Sequence, residues 1–297
     1  MNDKAIEKLR SADAARANSL KTMSFTSKIP LIRRSALNNP LFIEQQKENA
    51  RAEFVQNYID TVLKDFTSKL FTKTVPYGIF KDTKITSYQD LQAGIAQKVL
   101  GIYEFEIAPY FSDLLSNNKY DYFIDIGAAE GLYAMVFDRA INASGHPASI
   151  YAFEQDYCTR ALLRKRIEDN NATNVKILDE FSVATLNKID LEKRGFILSD
   201  CEGFEAEIFT DANLSKFVKC DLIIETHDNF APNATQKVID VLSKTHNVTR
   251  VDQQALSDGL DLITDDWFNS LPKEARLTML EGGRHPETRW VVATIKG

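Results

Sequence analysis

The segment Asp121–Ala134 constrains the fold of this 297-residue chain more than any other. Residues 122–126 are a short apolar run of β-forming residues, and apolar residues return at helical spacing from Leu132 onwards. Between these two patterns lie Gly127 and Gly131, where the missing Cβ lets the backbone turn tightly and approach a ligand. The sequence therefore predicts a buried strand, a glycine turn and a helix, and open α/β sheets bind ligands beyond the carboxyl end of such a strand.

Two carboxylates accompany this turn. Asp125 comes directly before it, and Glu130 lies inside it. A helix start can bind a nucleotide phosphate. A turn with that role would avoid two carboxylates, because their negative charges repel the anion. The turn therefore favours a ligand that carries positive charge and hydroxyl groups.

From residue 121 onwards, strand patterns and helix patterns alternate. Strands are predicted at 122–126, 149–153, 174–178, 195–199, 221–225, 247–251 and 290–295, and helices at 131–142, 156–169, 203–209 and 232–245. Such alternation is typical of an α/β fold with a seven-stranded, mostly parallel sheet and helices on both faces. Residues 252–289 interrupt the pattern with a predicted helix from Asp266 to Leu280, and we expect this insertion to shape the substrate side.

The N-terminal third has a different character. An apolar stripe from Phe54 to Leu70 predicts a long helix, and further helices are predicted over 88–100 and 104–115. We expect residues 1–88 to form a helical appendage, or lid, that packs on a second domain of residues 89–297. Residues 1–40 hold eight lysines and arginines against three acids, which fits either a solvated arm or a contact with an anionic partner.

Composition excludes several classes of protein. The net charge of −6 does not suit a protein that holds a polyanion, so nucleic acid is not an expected partner. Three cysteines without scaffold spacing indicate a reducing compartment. No signal-peptide core and no apolar run long enough for a bilayer are found, so we expect a cytoplasmic protein without a membrane partner. The oligomeric state is not readable from the sequence.

Three motifs resemble those of a known enzyme family. Asp125-Ile-Gly-Ala-Ala-Glu-Gly131 resembles the first motif of class I S-adenosylmethionine-dependent methyltransferases. The stretches 199–205 and 224–227 resemble two later motifs of the FkbM-type methyltransferases, which methylate hydroxyl groups. The resemblance covers roughly residues 100–253 and the predicted last strand. It departs from the family at Leu198, where a lysine is usual, and at Cys201, where an aliphatic residue is common.

The resemblance implies a Rossmann-like class I methyltransferase fold, S-adenosyl-L-methionine as the cofactor, and O-methylation of a hydroxyl on a small molecule or glycan. Backbone groups at Gly127, Ala128 and Gly131 would bind the methionine carboxylate, and Asp125 its amino group. Glu154 follows Gly131 by 23 positions, near the spacing at which dinucleotide folds place a ribose-binding acid. One carboxylate can accept hydrogen bonds from both ribose hydroxyls.

The remaining candidates follow the third, fourth and fifth predicted strands. Asp179 and Phe181 are candidates for the adenine site, with ordinary loop roles as the alternative. Asp200 would face the sulfonium and the incoming hydroxyl. His227 is the best candidate for the group that takes the hydroxyl proton, because histidine titrates near neutral pH. The main interpretation assigns no metal, but Asp200, Glu225, His227 and Asp228 also suit a hard divalent ion.

Two other functions stay open. An NAD-type Rossmann oxidoreductase is disfavoured, because the turn 127–131 lacks the middle glycine of G-x-G-x-x-G and places Glu130 where a pyrophosphate would bind. A catalytically idle protein that keeps the fold and binds the cofactor is the second alternative. No motif distinguishes between the classes of methyl acceptor.

Overall fold

The computed structural model describes residues 74–86, 91, 94–117, 119–281 and 284–296. The predicted helix from Phe54 to Leu70 and the basic residues 1–40 lie outside the described residues, so the helical appendage stays a prediction. Residues 74–86, which we had assigned to it, share one hydrophobic core with the sheet domain through Val75, Phe80 and Ile85.

The described residues form a single seven-stranded sheet. Its strands are β1 (Tyr122–Ile126), β2 (Ser149–Phe153), β3 (Val175–Leu178), β4 (Gly195–Ser199), β5 (Cys220–His227), β6 (His246–Asp252) and β7 (Thr288–Ile295). They lie in the order β3-β2-β1-β4-β5-β7-β6, and β7 runs antiparallel to both of its neighbours while the pairs among β1 to β5 are parallel. The predicted Rossmann-like α/β fold with a mostly parallel sheet is confirmed.

Nine α-helices connect and cover these strands within the described ranges. They are α1 (Ile95–Val99), α2 (Ala108–Asn117), α3 (Leu132–Ser144), α4 (Tyr157–Asn170), α5 (Glu205–Ile208), α6 (Ala234–Leu242), α7 (Leu256–Gly259), α8 (Asp266–Asn269) and α9 (Lys273–Leu280). Short 3-10 turns lie at Val183–Lys188, Leu214–Lys216 and Leu260–Leu262. Asp156 caps α4 as predicted, because its carboxylate accepts a hydrogen bond of 2.7 Å from the backbone N–H of Thr159.

Alternate residues of the central strands supply two hydrophobic cores, one on each face of the sheet. On β1, Phe123 belongs to one core, and Ile124 and Ile126 belong to the other. The first core also takes residues from α1, α2, α3, α8 and α9, whereas the second takes residues from α6. Because both faces are covered, the central strands β1, β4 and β5 are buried throughout, and functional groups concentrate where the parallel strands end.

Several of the predicted helices have other limits in the structure. The helix predicted over 88–100 begins only at Ile95, after Gly94 with its left-handed φ of 68°. The helix predicted from residue 104 begins only at Ala108, because Glu104 has a left-handed backbone with φ of 50°. The helix predicted over Asp266 to Leu280 is two helices, α8 and α9, because Pro272 interrupts it.

Among the helices of the described residues, none is both long and apolar enough to cross a membrane.

Candidate functional site at the carboxyl edge of the sheet

The turn after β1 is held against the end of β4. Gly127 has φ of +81°, and a Cβ on this residue would lie 1.7 Å from the carbonyl oxygen of Asp200. No side chain fits in that space, so the glycine lets two loops meet directly. Gly131 begins α3 with φ of +86°, and a Cβ there would lie 2.4 Å from Cδ1 of Leu163. Close packing against backbone therefore requires the glycine at 127, whereas at 131 the left-handed backbone is the stronger requirement, because Cδ1 of Leu163 is the end of a flexible side chain.

The backbone N–H groups of this turn are engaged within the protein, which differs from the expectation that they bind a carboxylate. Gly127 and Ala128 both donate to the carbonyl oxygen of Phe153, at 3.0 and 2.9 Å, and Gly131 donates to that of Ala128 at 2.8 Å. With these N–H groups engaged, an anionic group could be bound here only by the first turn of α3, where the N–H groups and the positive end of the helix dipole lie.

Glu154 follows β2 and braces the same turn. Its Oε2 accepts a hydrogen bond of 3.0 Å from the N–H of Ala129, and its Oε1 accepts one of 2.8 Å from the N–H of Asp156. Each carboxylate oxygen has a second lone pair, so both can still accept from a ligand. Glu154 also borders the cavity described next, which places it where the sequence predicted a hydroxyl-binding acid.

A cavity of about 430 Å³ opens beside the turn, a size typical of sites for small molecules and cofactors. Its apolar wall includes Ile126, Phe153, Phe181, Val183, Phe204 and Ile208. Five carboxylates border it and no lysine or arginine does, among the residues that line it in the described part of the chain. These carboxylates belong to Glu154, Glu180, Asp200, Glu202 and Glu207. The cavity therefore favours a cationic ligand over an anionic one.

The loop after β3 supplies one of its two predicted residues to this cavity. Phe181 lines the wall and meets Phe153 edge to face, with 5.1 Å between the ring centroids. The side chain of Asp179 is 85% exposed, forms an ion pair with Arg160 at 3.4 Å and does not line the cavity. The geometry thus offers Phe181 as the ring-contacting residue and gives no support to Asp179.

Asp125 lies behind the turn and is only 1% exposed. Its Oδ2 is buried without a hydrogen-bond partner in the described structure. Burial, together with the negative charges of Glu154 and Glu104, raises the pKa of Asp125 to about 8. A buried carboxyl with an unused oxygen is poised to bind a cationic group, which would favour its ionised form.

A second group of acids surrounds the end of β5, and His227 lies at its centre. His227 is buried, and its Nδ1 donates a hydrogen bond of 2.9 Å to Oε1 of Glu205. Its other nitrogen, Nε2, lies 3.6 Å from Oδ1 of Asp200, 3.5 Å from Oε2 of Glu202 and 4.0 Å from Oε2 of Glu225. The structure therefore brings together the two predicted catalytic residues, Asp200 and His227.

These acids set the protonation of the histidine and of its neighbours. Burial lowers the pKa of His227, but the hydrogen bond with Glu205 and the charges of Glu225, Glu205 and Glu202 outweigh it, so the pKa lies above its ordinary value. The pKa of Glu205 is low despite its burial, because His227 and the N–H of Gly203 donate to it. Burial and the neighbouring carboxylates raise the pKa of Asp200 well above its ordinary range.

A salt-bridge network adjoins this group. Arg284 pairs with Glu106 and with Glu225, where Nε of the arginine lies 3.1 Å from Oε1. Glu104 accepts a hydrogen bond from Tyr133, and burial with the charge of Glu225 raises its pKa to about 7. Glu104 is also the residue with left-handed φ, and such strain is found at functional sites.

Asp228 does not join the group. Its carboxylate accepts hydrogen bonds of 3.0 Å from the N–H of Thr235 and 2.8 Å from its hydroxyl, which fixes it to the start of α6. The geometry therefore gives no support to Asp228 as a possible metal ligand. Glu130 is likewise turned inward, where it forms a buried salt bridge with Lys98 of α1.

Sequence reasoning missed several residues of this site. Glu205 was not a candidate, although its partner His227 is one, because the two lie 22 residues apart and no local pattern joins them. Ala129 lines the cavity in place of Ala128, and Glu104 and Arg284 come from segments without a motif. The only sequence signal for Glu205 was its place in the stretch 199–205, where it was one acid among three.

Comparison with known proteins adds little to this description. No protein-family model and no curated protein matches the sequence. Several solved structures have a similar chain trace. The O-methyltransferase TomG of Streptomyces achromogenes, in complex with SAM, is 10% identical, with 72% of this chain and 91% of that chain covered and a TM-score of 0.45. A putative O-methyltransferase from Klebsiella pneumoniae is 10% identical, with 67% and 82% covered and a TM-score of 0.44.

A third structure, the precorrin-6y C5,15-methyltransferase of Geobacter metallireducens, is 18% identical, with 64% of this chain and 89% of that chain covered and a TM-score of 0.40. Identities and scores this low carry no argument about function. The class of this protein follows instead from its own strand order and register, which define a Rossmann-like α/β protein with an acidic cavity at the carboxyl edge of the sheet.

Proposed function

We propose that the protein is an S-adenosylmethionine-dependent methyltransferase that methylates a hydroxyl group of a small molecule or glycan. One observation carries this proposal: the cavity beside the glycine turn is bordered by five carboxylates and by no basic side chain among its described lining residues. Adenosylmethionine, which has no phosphate and carries a sulfonium and an ammonium, matches that charge. The motif resemblance to the FkbM type supports the choice of oxygen as the methylated atom.

The residues present fit this cofactor. Glu154 borders the cavity with lone pairs left on both oxygens and would accept hydrogen bonds from the ribose hydroxyls. The apolar wall, with Phe153 and Phe181, suits a flat aromatic base. The unpartnered buried oxygen of Asp125 would bind the ammonium group. When bound, the cofactor supplies a methyl group that is open to attack by a nucleophilic oxygen.

The same charges argue against an NAD-type oxidoreductase. A dinucleotide brings a pyrophosphate, and the turn that would bind it has its N–H groups at Gly127 and Ala128 already engaged with Phe153. Glu130 in the same turn forms a salt bridge with Lys98, so this nearby cation is not free for an anion. The cavity thus lacks both usual sources of phosphate binding, free backbone donors and basic side chains.

The acceptor would approach from the side of Asp200 and His227. Two phenylalanines there have unusually exposed side chains: Phe204, which is 58% exposed and lines the cavity, and Phe230, which is 62% exposed. The ring of Phe230 has its centroid 5.9 Å from that of His227. Exposed aromatic rings beside a polar site are suited to the apolar face of a sugar or to a ring-bearing molecule.

In this proposal the chain contributes mainly positioning. Asp200 accepts a hydrogen bond from the acceptor hydroxyl and orients its oxygen. Nε2 of His227 takes the hydroxyl proton, and Glu205, bonded to Nδ1, holds the ring in the tautomer that leaves Nε2 free and stabilises the imidazolium that forms. The exposed rings of Phe204 and Phe230 exclude water from one side of the reacting oxygen.

A transfer assay tests the proposal. The full-length protein is incubated with adenosylmethionine labelled in the methyl group and with panels of hydroxyl-bearing sugars, polyketides, lipids and peptides. We expect the label to reach an oxygen of one acceptor class and adenosylhomocysteine to form in equal amount. Label found on nitrogen or carbon, or reduction of an added ketone with NADH, would contradict it.

A further inference from the structure

We propose that Asp200, Glu202 and His227 form a binding site for one divalent transition-metal ion. Each residue offers one ligand atom, and these atoms all lie within 4.8 Å of one another. Asp200 directly follows β4 and His227 ends the adjacent parallel strand β5, so the sheet fixes the separation of these two residues, and Glu202 lies in the turn after β4. The site borders the cofactor cavity through Asp200 and Glu202.

The histidine is prepared to be a ligand. Its side chain is only 5% exposed, and its Nδ1 is bonded to the carboxylate of Glu205. A carboxylate on one ring nitrogen fixes the tautomer and directs the lone pair of the other nitrogen outward, which is the usual second shell of a metal-bound histidine. Nε2 faces the carboxylates at 3.5 to 4.0 Å and makes no hydrogen bond among the described residues.

A second polar atom in the same place also lacks a partner. Oδ1 of Asp200 is buried and has no hydrogen-bond partner in the described structure. A buried oxygen without a partner is costly, and a cation beside it removes that cost. Arg284 forms its ion pairs with Glu225 and Glu106. Among the described residues it forms none with Asp200 or Glu202, so the negative charge of these two acids is not neutralised by a direct ion pair with Arg284. The two unpartnered atoms, Oδ1 of Asp200 and Nε2 of His227, lie 3.6 Å apart.

These separations fit a shared ion. Two ligands that are each about 2.1 Å from one ion lie about 3.4 Å apart at a tetrahedral angle and about 3.0 Å apart at a right angle. The distances of 3.5 and 3.6 Å from Nε2 to the two carboxylates are close to the first value. The side chain of Glu202 is 71% exposed, so it has room to turn towards an ion held by the other two ligands.

The donor set selects the kind of ion. One imidazole nitrogen with two carboxylate oxygens suits Mn²⁺ or Zn²⁺, whereas Mg²⁺ and Ca²⁺ take oxygen ligands almost alone. In the metal-loaded protein Nε2 of His227 is a ligand, so the ion replaces the proton-accepting role proposed above for the metal-free protein. The metal site itself does not depend on methyl transfer, because ion binding is measured without cofactor or acceptor.

The test uses the full-length protein, stripped with a chelator and dialysed, with Mn²⁺ and Zn²⁺ as probes. Binding of Mn²⁺ is followed by loss of the free-ion signal in electron paramagnetic resonance, and binding of Zn²⁺ by calorimetry. We expect one saturable site per chain for at least one of these ions, with competition between the two. No saturable binding of either ion up to about 1 mM, the weak limit for protein sites of divalent cations, overturns the proposal.

Two matched variants locate the site. Glu202→Gln removes a proposed ligand, and Glu207→Gln removes another exposed carboxylate from the wall of the same cavity. We expect the first to weaken ion binding at least 10-fold and the second less than 2-fold. Equal weakening by both variants would mean that the ion senses only the general negative charge, which overturns the assignment. Both positions are exposed, so neither change threatens the fold, and circular dichroism checks this.

Discussion

Nδ1 of His227 lies 2.9 Å from Oε1 of Glu205, a hydrogen bond that joins the end of β5 to the first turn of α5. This contact leaves Nε2 facing Asp200 and Glu202, at 3.6 and 3.5 Å. The two residues are 22 positions apart in the chain, and the parallel pairing of β4 with β5 is what brings them together. The pairing of these two strands therefore assembles the group of residues around His227.

Replacement of this histidine tests its role in turnover. His227→Ala should reduce kcat about 10²–10⁴-fold with nearly unchanged affinity for adenosylhomocysteine, because the proposed mechanism has this residue face the acceptor and not the cofactor base. His146→Ala, which changes a histidine outside this group, should alter neither quantity. Steady-state kinetics and calorimetry provide the two readouts. Near-normal turnover by His227→Ala would remove the residue from the mechanism.

Glu154 should contribute to cofactor binding through the ribose hydroxyls. Glu154→Ala should weaken binding of adenosylhomocysteine by about 2–3 kcal/mol, the scale of charge-assisted hydrogen bonds. Because Glu154 also braces the turn at Ala129, part of this loss has a structural origin. An analogue without the ribose hydroxyls separates the two parts. The wild type should bind this analogue more weakly than adenosylhomocysteine, whereas Glu154→Ala should bind the two ligands with equal affinity. Equal discrimination by both proteins would show that Glu154 does not contact the ribose.

Asp125 should make the stability of the ligand-free protein depend on pH. Its folded-state pKa of about 8 lies above the ordinary value of 3.8, so its contribution is fully present below the ordinary value and is lost as pH rises through 8. Asp125→Asn keeps the shape and stays neutral. The free energy of unfolding of the variant, relative to the wild type, should therefore rise by about 2–4 kcal/mol between pH 5 and pH 8. Urea denaturation across this range measures it, and a constant difference would contradict the buried, protonated carboxyl.

Gly127 should tolerate no side chain. Gly127→Ala combines a left-handed backbone with a Cβ that would lie 1.7 Å from the carbonyl oxygen of Asp200, so it should destabilise the protein by about 3 kcal/mol or more. Gly145→Ala is a matched control, because Gly145 has φ of +65° but no atom within 4 Å of the added Cβ. The control should cost only about 1–2 kcal/mol. Chemical denaturation measures the loss of unfolding free energy in each variant. Equal losses in Gly127→Ala and Gly145→Ala would show that the loops at Gly127 and Asp200 separate without penalty.

The strands of this protein were predictable because each is a short apolar run bounded by turn residues. The run from Tyr122 to Ile126 has the same limits in sequence and structure, and its glycine turn marked the site. Helix limits were less predictable, since Glu104 combines a left-handed backbone with a hydrogen bond to Tyr133, 29 positions away in the chain. Local sequence carries no sign of such contacts.

The site residues that lie at strand ends were the ones predictable from the sequence. Glu154 and Asp200 follow strands and line the cavity, whereas Asp125 lies within β1 and is buried behind the turn. Asp179 satisfied the same rule, but its side chain pairs with Arg160 at the surface. Long-range partners such as Glu205 depend on which strands are neighbours, and that order was not readable from one sequence.

The central claim is that the acidic cavity binds adenosylmethionine, and calorimetric titration of the full-length protein tests it most directly. Adenosylhomocysteine and NAD⁺ are titrated separately into the wild type and into Glu154→Ala. We predict saturable binding of adenosylhomocysteine to one site, weakened in the variant, and no binding of NAD⁺, because five carboxylates border the cavity without a basic side chain among its described lining residues. Binding of NAD⁺ in preference to adenosylhomocysteine, or of neither ligand, would contradict this account.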